Sequence, residues 1–238
     1  MSPVTSGLSA LHDLPPRSRE EQGGTWPLLL WVPGTPRRMC SSALLGGGIG
    51  TRQWVLNAQV PPGYRRLDPA VHLARLAADN GAPGRGVGLM TAASVRDSCW
   101  AADSGVEALV TAGIGVRGWA AAPDRGEAGP APAGTINILV SVPVPLADAA
   151  LVNAVATATE AKVQALRDAG IDASGTPTDA VCVAALPPET GLRVEPFAGP
   201  RSVWGARIAR AVHQATRRAC LHALEAEAEV HGSGHLLR

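Results

Sequence analysis

The chain has 238 residues, of which 46% are hydrophobic and 17% charged, and its formal net charge is +1. This length and composition predict a globular protein with a core of its own. The small net charge and the lack of a long basic run argue against nucleic-acid binding. No apolar stretch approaches the roughly 20 residues that cross a bilayer, so we expect no membrane partner.

The cysteines and histidines do not form a metal-binding pattern. Cys40, Cys99, Cys182 and Cys220 are far apart in the sequence, and the HExxH motif is absent. We therefore expect free thiols and no protein-bound metal. Residues 1–25 are polar and rich in Pro, Gly, Arg and Glu, unlike a signal peptide, which favours a cytoplasmic protein.

The predicted elements form one domain between two irregular ends. We predict a flexible leader over residues 1–25, a domain over 26–222 and a frayed tail over 223–238. Apolar runs predict strands, and longer periodic segments with capping signals predict helices. The predicted strands cover residues 27–32, 40–45, 53–60, 87–92, 106–114, 135–142 and 180–186, and the predicted helices cover 68–80, 148–169 and 203–225. Because the strands come in runs, this order favours an α+β single domain with a mixed or mainly antiparallel sheet packed against helices.

The Gly-rich segment 46–50 lies between two predicted strands, at 40–45 and 53–60. Its spacing does not match GxGxxG, and no Gly-Lys-Ser/Thr sequence of a P-loop occurs in the chain. A tight hairpin turn explains these glycines, and a loop that passes close to a ligand is the alternative.

The second predicted helix contains Lys162, the only lysine among the 21 basic residues. At about 100° per residue, Asn153, Thr157, Glu160 and Gln164 share one face, and Lys162 falls on the apolar side. Either this lysine extends its ammonium group to solvent at the end of the helix, or it is a partly desolvated amine that can act as a base or an electrostatic contact.

Polar side chains cluster at the beginning of two predicted strands. Thr135 and Asn137 stand in GTIN (134–137), and Ser174, Thr176, Thr178 and Asp179 stand in SGTPTD (174–179). Strand ends and loops are where a scaffold presents reactive groups. The alternative for the second cluster is a polar turn whose hydroxyls bond to the local backbone.

Eight segments, in order over residues 40–215, resemble the adenosylcobinamide amidohydrolase family. The most specific are GTINILV (134–140), ALVNAVATATEAK (150–162) and SGTPTDAVCVA (174–184). The others are SSALLGGG (41–48), NAQVPPGY (57–64), GLMTAA (88–93), LVTAGIG (109–115) and GPRSVWGARIARAV (199–212). One departure is Pro177, where a GTGTDA-like turn would have glycine; proline fixes φ near −65°, so we expect a reshaped turn.

The resemblance implies hydrolysis of an amide in adenosylcobinamide, which gives adenosylcobyric acid and 1-amino-2-propanol during cobalamin salvage. The cobalt would belong to the corrinoid substrate, so no cofactor is expected. A corrinoid-binding or carrier protein without hydrolytic activity is the alternative. A scaffold protein with no affinity for corrinoids is a further one. The Ala-rich final helix could also pair with its own copy in a homo-oligomer.

Amide hydrolysis needs a nucleophile or activated water, a group that stabilises the oxyanion and an acid for the leaving amine. Our candidates for these roles are Glu160, Lys162, Asp179, Asn137 and Thr135. We hypothesise that Glu160 lies at the centre, faced by Asn137 and the 174–179 turn. A flat corrinoid also needs a wide, shallow cleft with apolar walls and amide-matching groups. The candidate substrate-binding residues are Asn57, Gln59, Thr91, Asn153, Ser174, Thr176 and Thr178.

Overall fold

The computed structural model describes residues 10–123 and 134–233. Within these residues, ten strands and three α-helices are joined by short connections. The strands are β1 (Arg17–Glu21), β2 (Gly24–Trp31), β3 (Arg37–Ser41), β4 (Gly48–Arg52), β5 (Val55–Gln59), β6 (Val87–Thr91), β7 (Cys99–Asp103), β8 (Val106–Gly113), β9 (Thr135–Pro145) and β10 (Ala180–Leu186). The helices are α1 (Pro69–Asp79), α2 (Asp148–Asp168) and α3 (Val203–Ser233). Two short 3-10 helices cover Leu11–Asp13 and Pro188–Thr190.

The strands form two sheets. The larger has six strands in the order β4-β3-β10-β9-β8-β7, and the smaller has four in the order β1-β2-β5-β6. Each sheet has one parallel pair, β9 with β10 and β5 with β6, and its other pairs are antiparallel. The prediction of an α+β fold with mixed sheets is therefore confirmed.

Three hydrophobic clusters show that the elements stack in four layers. The first joins α2 and α3 to one face of the six-stranded sheet. The second lies between the two sheets and includes Leu29, Met39 and Leu139. The third joins the outer face of the four-stranded sheet to α1. The order of layers is helices, large sheet, small sheet, helix.

Strand β9 is buried on both faces, which explains its almost continuous apolar sequence. Ile136 and Ile138 point to the helix layer, because successive side chains of a strand alternate between faces. Leu139 points to the layer between the sheets, so Asn137, two residues earlier, lies on that face as well. The sequence thus places a polar amide inside an apolar layer, next to the edge where β9 begins.

Alanines allow α2 to pack closely on its neighbours. Ala150, Ala154, Ala158 and Ala161 are at most 4% exposed and recur along one stripe of the helix. Thr157 is also buried, and its Oγ1 donates a hydrogen bond to the Ala198 carbonyl oxygen at 2.8 Å. The prediction that Thr157 belongs to a polar face was therefore wrong, because Thr157 lies on the buried side together with these alanines and Leu151.

The Gly-rich segment differs from the predicted turn. Residues 48–52 form β4, which pairs with β3, whereas β5 belongs to the other sheet. Gly46 has a φ of 71° and approaches the other sheet so closely that a Cβ would overlap the Gly86 carbonyl oxygen. The glycines therefore permit a crossing between sheets.

Three further elements differ from the sequence-based expectation. Strand β1 lies inside the segment predicted as a leader, and Leu11 is only 1% exposed. Strand β7 was not predicted; it pairs with β8 through a turn at Ser104 and Gly105, both of positive φ. Helix α3 continues to Ser233, into the predicted tail. Residues 1–9, 124–133 and 234–238 lie outside the described residues.

Candidate active site

Polar side chains from both sheets meet at one edge of the sandwich. Strands β9 and β10 are parallel neighbours and begin there, with Thr135 first in β9 and Asp179 directly before β10. Strand β8, antiparallel to β9, ends there. Asn137 of β9 donates a hydrogen bond from Nδ2 to the Met90 carbonyl oxygen, near the end of β6 in the other sheet. Loops from four strands thus converge at this edge.

The centre of the edge is a buried ion pair between Lys162 and Asp179. Their side chains are 8% and 11% exposed, and Lys162 Nζ donates to Asp179 Oδ2. The other carboxylate oxygen accepts hydrogen bonds from the Ile136 backbone N–H at 2.8 Å and from Thr176 Oγ1 at 2.5 Å. This arrangement excludes the interpretation that Lys162 extends its ammonium group to solvent.

Gly175 makes room for this pair. A Cβ at this position would lie 2.5 Å from Lys162 Nζ and even closer to Asp179 Oδ2. The next backbone N–H, of Thr176, donates to Asp179 Oδ2 at 3.2 Å. The turn therefore wraps its backbone around the ion pair, and a residue without a side chain is required at its closest approach. Pro177 is exposed in this turn and leaves these contacts in place.

Two threonine hydroxyls lie on the outer side of the same turn. Thr178 is exposed, and its Oγ1 lies 2.6 Å from Thr135 Oγ1. Thr176 and Thr178 both place Oγ1 2.9 Å from the Gly134 carbonyl oxygen. The single proton of Thr176 Oγ1 can thus go to Gly134 or to Asp179. The cluster thus presents a hydroxyl and an ammonium group that contact the two oxygens of the same carboxylate.

Asn57 and Asn137 connect the two sheets. Asn137 Nδ2 donates to Asn57 Oδ1 at 2.9 Å, and Asn57 Nδ2 donates to Thr111 Oγ1 at 3.0 Å. The Oδ1 atom of Asn137 is buried and has no hydrogen-bond partner among the described residues. It borders a cavity of about 10 Å³ between the sheets, which has room for about one water molecule.

Gln59 and Thr91 hold the loop that follows β6. Gln59 Oε1 accepts a hydrogen bond from the Val95 N–H at 3.2 Å, and Thr91 Oγ1 accepts one from the Ala93 N–H at 3.0 Å. Both side chains, like Asn57, are thus engaged within the protein at the edge of the cluster. Gln59 and Thr91 therefore hold the backbone of the loop that follows β6.

Glu160 does not join the cluster. It is exposed on α2. Because Lys162 is two positions later in the helix, the two side chains point about 200° apart around its axis. Asn153 is also distant, since its Oδ1 accepts the Ala198 N–H at 3.3 Å on the far part of the helix. The hypothesis of a Glu160-centred site therefore has to be corrected: the carboxylate that faces the 174–179 turn is Asp179.

Ser174 attaches a neighbouring loop to the turn. Its Oγ accepts the Ala120 N–H at 2.8 Å and lies 3.3 Å from the Gly118 carbonyl oxygen. Backbone hydrogen bonds of 3.0 Å join Gly118 with Gly175 and with Ser174. The segment after β8 is therefore fixed against the cluster.

Within the part of the chain that the structure describes, no group of three or more His, Cys, Asp or Glu residues could hold a metal ion. No helix in these same ranges is long and apolar enough to cross a membrane.

A larger cavity, of about 320 Å³, lies between β1 and α1, away from the Lys162–Asp179 pair. Three arginines and three carboxylates line it, so its charges balance.

The cluster affects one nearby thiol. Burial raises the pKa of Cys220, on α3, to about 12, and the negative charge of Asp179 acts in the same direction. Lys162 opposes this effect. Cys220 is therefore a protonated, unreactive neighbour of the ion pair and not a candidate nucleophile.

A threonine hydroxyl bonded to a carboxylate that is paired with a buried ammonium group is compatible with hydrolytic or acyl-transfer chemistry. Residues 13–228 match the model of the family described as adenosylcobinamide amidohydrolase. The chain belongs to the adenosylcobinamide amidohydrolase family, whose enzymes hydrolyse amide C–N bonds.

Two individual proteins illustrate how far the similarity extends. The adenosylcobinamide amidohydrolase of Methanosarcina mazei is 32% identical over 174 residues, which cover 71% of this chain and 82% of that protein. Among solved structures, the PH0078 protein from Pyrococcus horikoshii OT3 matches with a TM-score of 0.44 and 11% identity, covering 84% of this chain and 77% of that one. The second likeness is too weak to assign a shared fold.

Sequence reasoning missed several contributors to the site. Thr111 lies in an apolar strand, and only its pairing with Asn137 across β8 and β9 brings it to Asn57. Ser41 and Ser42 bond to the two backbone groups of Val181, which fixes the beginning of β10. The hydroxyl pair near the beginning of the predicted strand 40–45 was a usable signal for these serines. No local signal marks Thr111.

Proposed function

We propose that this protein hydrolyses the aminopropanol amide of adenosylcobinamide to give adenosylcobyric acid and 1-amino-2-propanol, in cobalamin salvage. Family membership and the name of the Methanosarcina relative, an adenosylcobinamide amidohydrolase, support this substrate. The observation that carries the chemistry is the contact of Thr176 Oγ1 with Asp179, which in turn binds Lys162. The protein needs no cofactor of its own in this proposal, because the substrate carries the cobalt.

In the proposed first step, Thr176 Oγ1 attacks the amide carbon and its proton passes to Asp179 Oδ1, 2.5 Å away. When the tetrahedral intermediate collapses, the C–N bond breaks and Asp179 returns the proton to the leaving amine. The products of this step are an acyl ester on Thr176 and free 1-amino-2-propanol.

In the second step, water attacks the ester carbon and gives one proton to Asp179, which returns it to Thr176 Oγ1 as the C–O bond breaks. The carboxylic acid is released, and the enzyme returns to its starting state. Lys162 keeps the carboxylate oriented throughout, since it binds Oδ2, the oxygen that does not accept the hydroxyl of Thr176. Glu160 has no part in this scheme, because it is exposed on another face of α2.

The decisive experiment is incubation of the purified protein with adenosylcobinamide, followed by chromatography and mass spectrometry of the corrinoid. Release of adenosylcobyric acid supports the proposal. A corrinoid that stays bound and intact favours a carrier protein instead. An intact corrinoid that does not bind contradicts both functions.

A matched pair of variants then tests the nucleophile. Thr176→Val removes the hydroxyl that contacts Asp179, and we expect turnover to fall at least about 10³-fold. Thr178→Val removes a neighbouring hydroxyl that contacts Thr135 and Gly134 and has no hydrogen bond to Asp179 among the described residues. If Thr176→Val stays active while Thr178→Val does not, the assignment of the nucleophile to Thr176 is wrong. The cytoplasmic location and a homo-oligomeric state remain predictions beside this proposal.

A further inference from the structure

Trp119 is an exposed aromatic residue in a protein that has few of them. Aromatic residues make up only 3% of the chain. Trp31 and Trp54 are buried, at 1% and 4% exposed, whereas Trp119 is 42% exposed. An indole ring left in water forgoes the stabilisation that burial would give. Binding of a ligand to the indole would account for this exposed position.

The backbone on both sides of Trp119 is fixed to the turn of the candidate active site. The Gly118 N–H donates to the Gly175 carbonyl oxygen at 3.0 Å, and the Ala120 N–H donates to Ser174 Oγ at 2.8 Å. The same turn continues into Thr176 and Asp179. The indole is thus attached, through two adjacent residues, to the element that carries the reacting groups.

A cation also orients the ring. The guanidinium group of Arg167, in the last turn of α2, lies 5.6 Å from the ring centroid of Trp119. Such a cation–π contact occupies one face of the indole and limits its rotation. An aromatic side chain held on one face and exposed elsewhere is suited to stack against a flat ligand.

We propose that Trp119 is a specificity-determining residue whose indole stacks on a flat conjugated ring of the substrate. The inference rests on the proposed function, since adenosylcobinamide carries two such rings, the corrin and the adenine of its upper ligand. Stacking at Trp119 would hold the ring system beside the turn while the amide side chain reaches Thr176. The residue contributes to binding and takes no part in bond breaking.

The test compares Trp119→Ala and Trp119→Phe with Phe197→Ala as the matched control. Phe197 is 69% exposed and adjoins the segment that bonds to the end of β9 far from the site, through Glu195 and Leu146. We expect Trp119→Ala to raise KM about 10-fold with kcat almost unchanged. Trp119→Phe should restore most of the affinity because it keeps an aromatic face, and Phe197→Ala should leave KM unchanged.

An unchanged KM in Trp119→Ala would overturn the inference, as would an equal effect of Phe197→Ala. Circular dichroism and the thermal midpoint show whether each variant is folded, and Trp119→Phe tests the inference if the alanine variant is not. Binding of cobinamide without the adenosyl group distinguishes the two possible stacking partners, the corrin and the adenine. If the alanine variant binds it about 10-fold more weakly than the wild type does, the corrin is the stacking partner; if both bind it equally, the adenine is.

The two proposals fail in different ways. If the wild-type protein binds the corrinoid without cleaving it, the amidohydrolase mechanism is wrong, and the dissociation constants of the three variants still test the stacking. If the wild type cleaves the substrate with normal kinetics and Trp119→Ala matches it in KM, only the stacking proposal is overturned.

Discussion

Lys162 and Asp179 form a buried ion pair that joins α2 to the beginning of β10, 17 residues later in the chain. Removing one partner leaves the other charge buried without compensation, which costs about 3–5 kcal/mol in proteins. We therefore expect Lys162→Met and Asp179→Asn each to lower the free energy of unfolding by about 3 kcal/mol. Urea denaturation measures this difference.

The double variant, Lys162→Met with Asp179→Asn, distinguishes pairing from simple loss of side-chain packing. Because neither charge then remains, it should be more stable than the sum of the two single changes predicts, by at least about 1 kcal/mol. Strict additivity would show that the pair is not coupled. We expect the double variant to be inactive, so it would regain stability without regaining turnover.

Gly175 tests the close approach of the turn to this ion pair. In Gly175→Ala the new Cβ would overlap Asp179 Oδ2 and crowd Lys162 Nζ. We expect turnover to fall at least about 10²-fold, because small displacements of reacting groups have effects of this size. Gly118→Ala is the control: it changes the bridging partner of Gly175, and a Cβ there has no atom within 4 Å. Equal activity of the two variants would contradict the steric argument.

The regular elements could be predicted from the sequence because each carries its own local signal. Strand β9 has a long run of branched apolar residues, and α1 begins with Pro69 at its first turn. The assignment of strands to sheets could not be predicted in this way. Strands β4 and β5 are adjacent in sequence and belong to different sheets, and this choice depends on contacts such as that of Gly46 with Gly86.

The candidate site was predictable to a similar extent. Polar residues at strand ends pointed to Asp179, Asn137 and the threonines, whose side chains the fold does bring to one edge. Glu160 was misjudged because we expected the polar face of α2 to be turned toward the site, whereas Lys162, on the apolar side, is the residue that contacts Asp179. Glu160 is exposed, about 200° away from Lys162 around the helix axis.

His72 gives the protein a pH-dependent contribution to stability. It is 3% exposed on α1, with Nε2 3.0 Å from Glu21 and Nδ1 2.9 Å from the Tyr64 hydroxyl. Burial lowers the pKa of His72, and the charge of Glu21 opposes this only in part. A carboxylate can only accept, so the neutral ring donates from Nε2 and accepts from Tyr64 at Nδ1.

A folded-state pKa below the unfolded value of about 6.5 means that the unfolded chain binds the proton more tightly. This stability is therefore fully present above about pH 6.5 and decreases as the pH falls through the folded-state pKa. We expect unfolding free energies measured between pH 8 and 5 to decline less steeply in His72→Gln than in the wild type. The difference in slope is at most about 1.4 kcal/mol per pH unit. His222→Gln, which removes an exposed imidazole, is the control, and the expectation fails if both variants behave alike.

The four thiols should differ in reactivity according to their burial. Burial raises the pKa of Cys182 and of Cys220 to about 12, so at pH 8 almost none of either thiol is in the reactive thiolate form. Burial also raises the pKa of Cys40, which is only partly covered. We expect iodoacetamide at pH 8 to alkylate Cys40 first in the native protein. Peptide mass spectrometry should find Cys182 and Cys220 modified only after denaturation. Rapid labelling of Cys220 in the folded state would mean that α3 moves away from the Lys162–Asp179 pair. The description of that pair as buried would then be wrong.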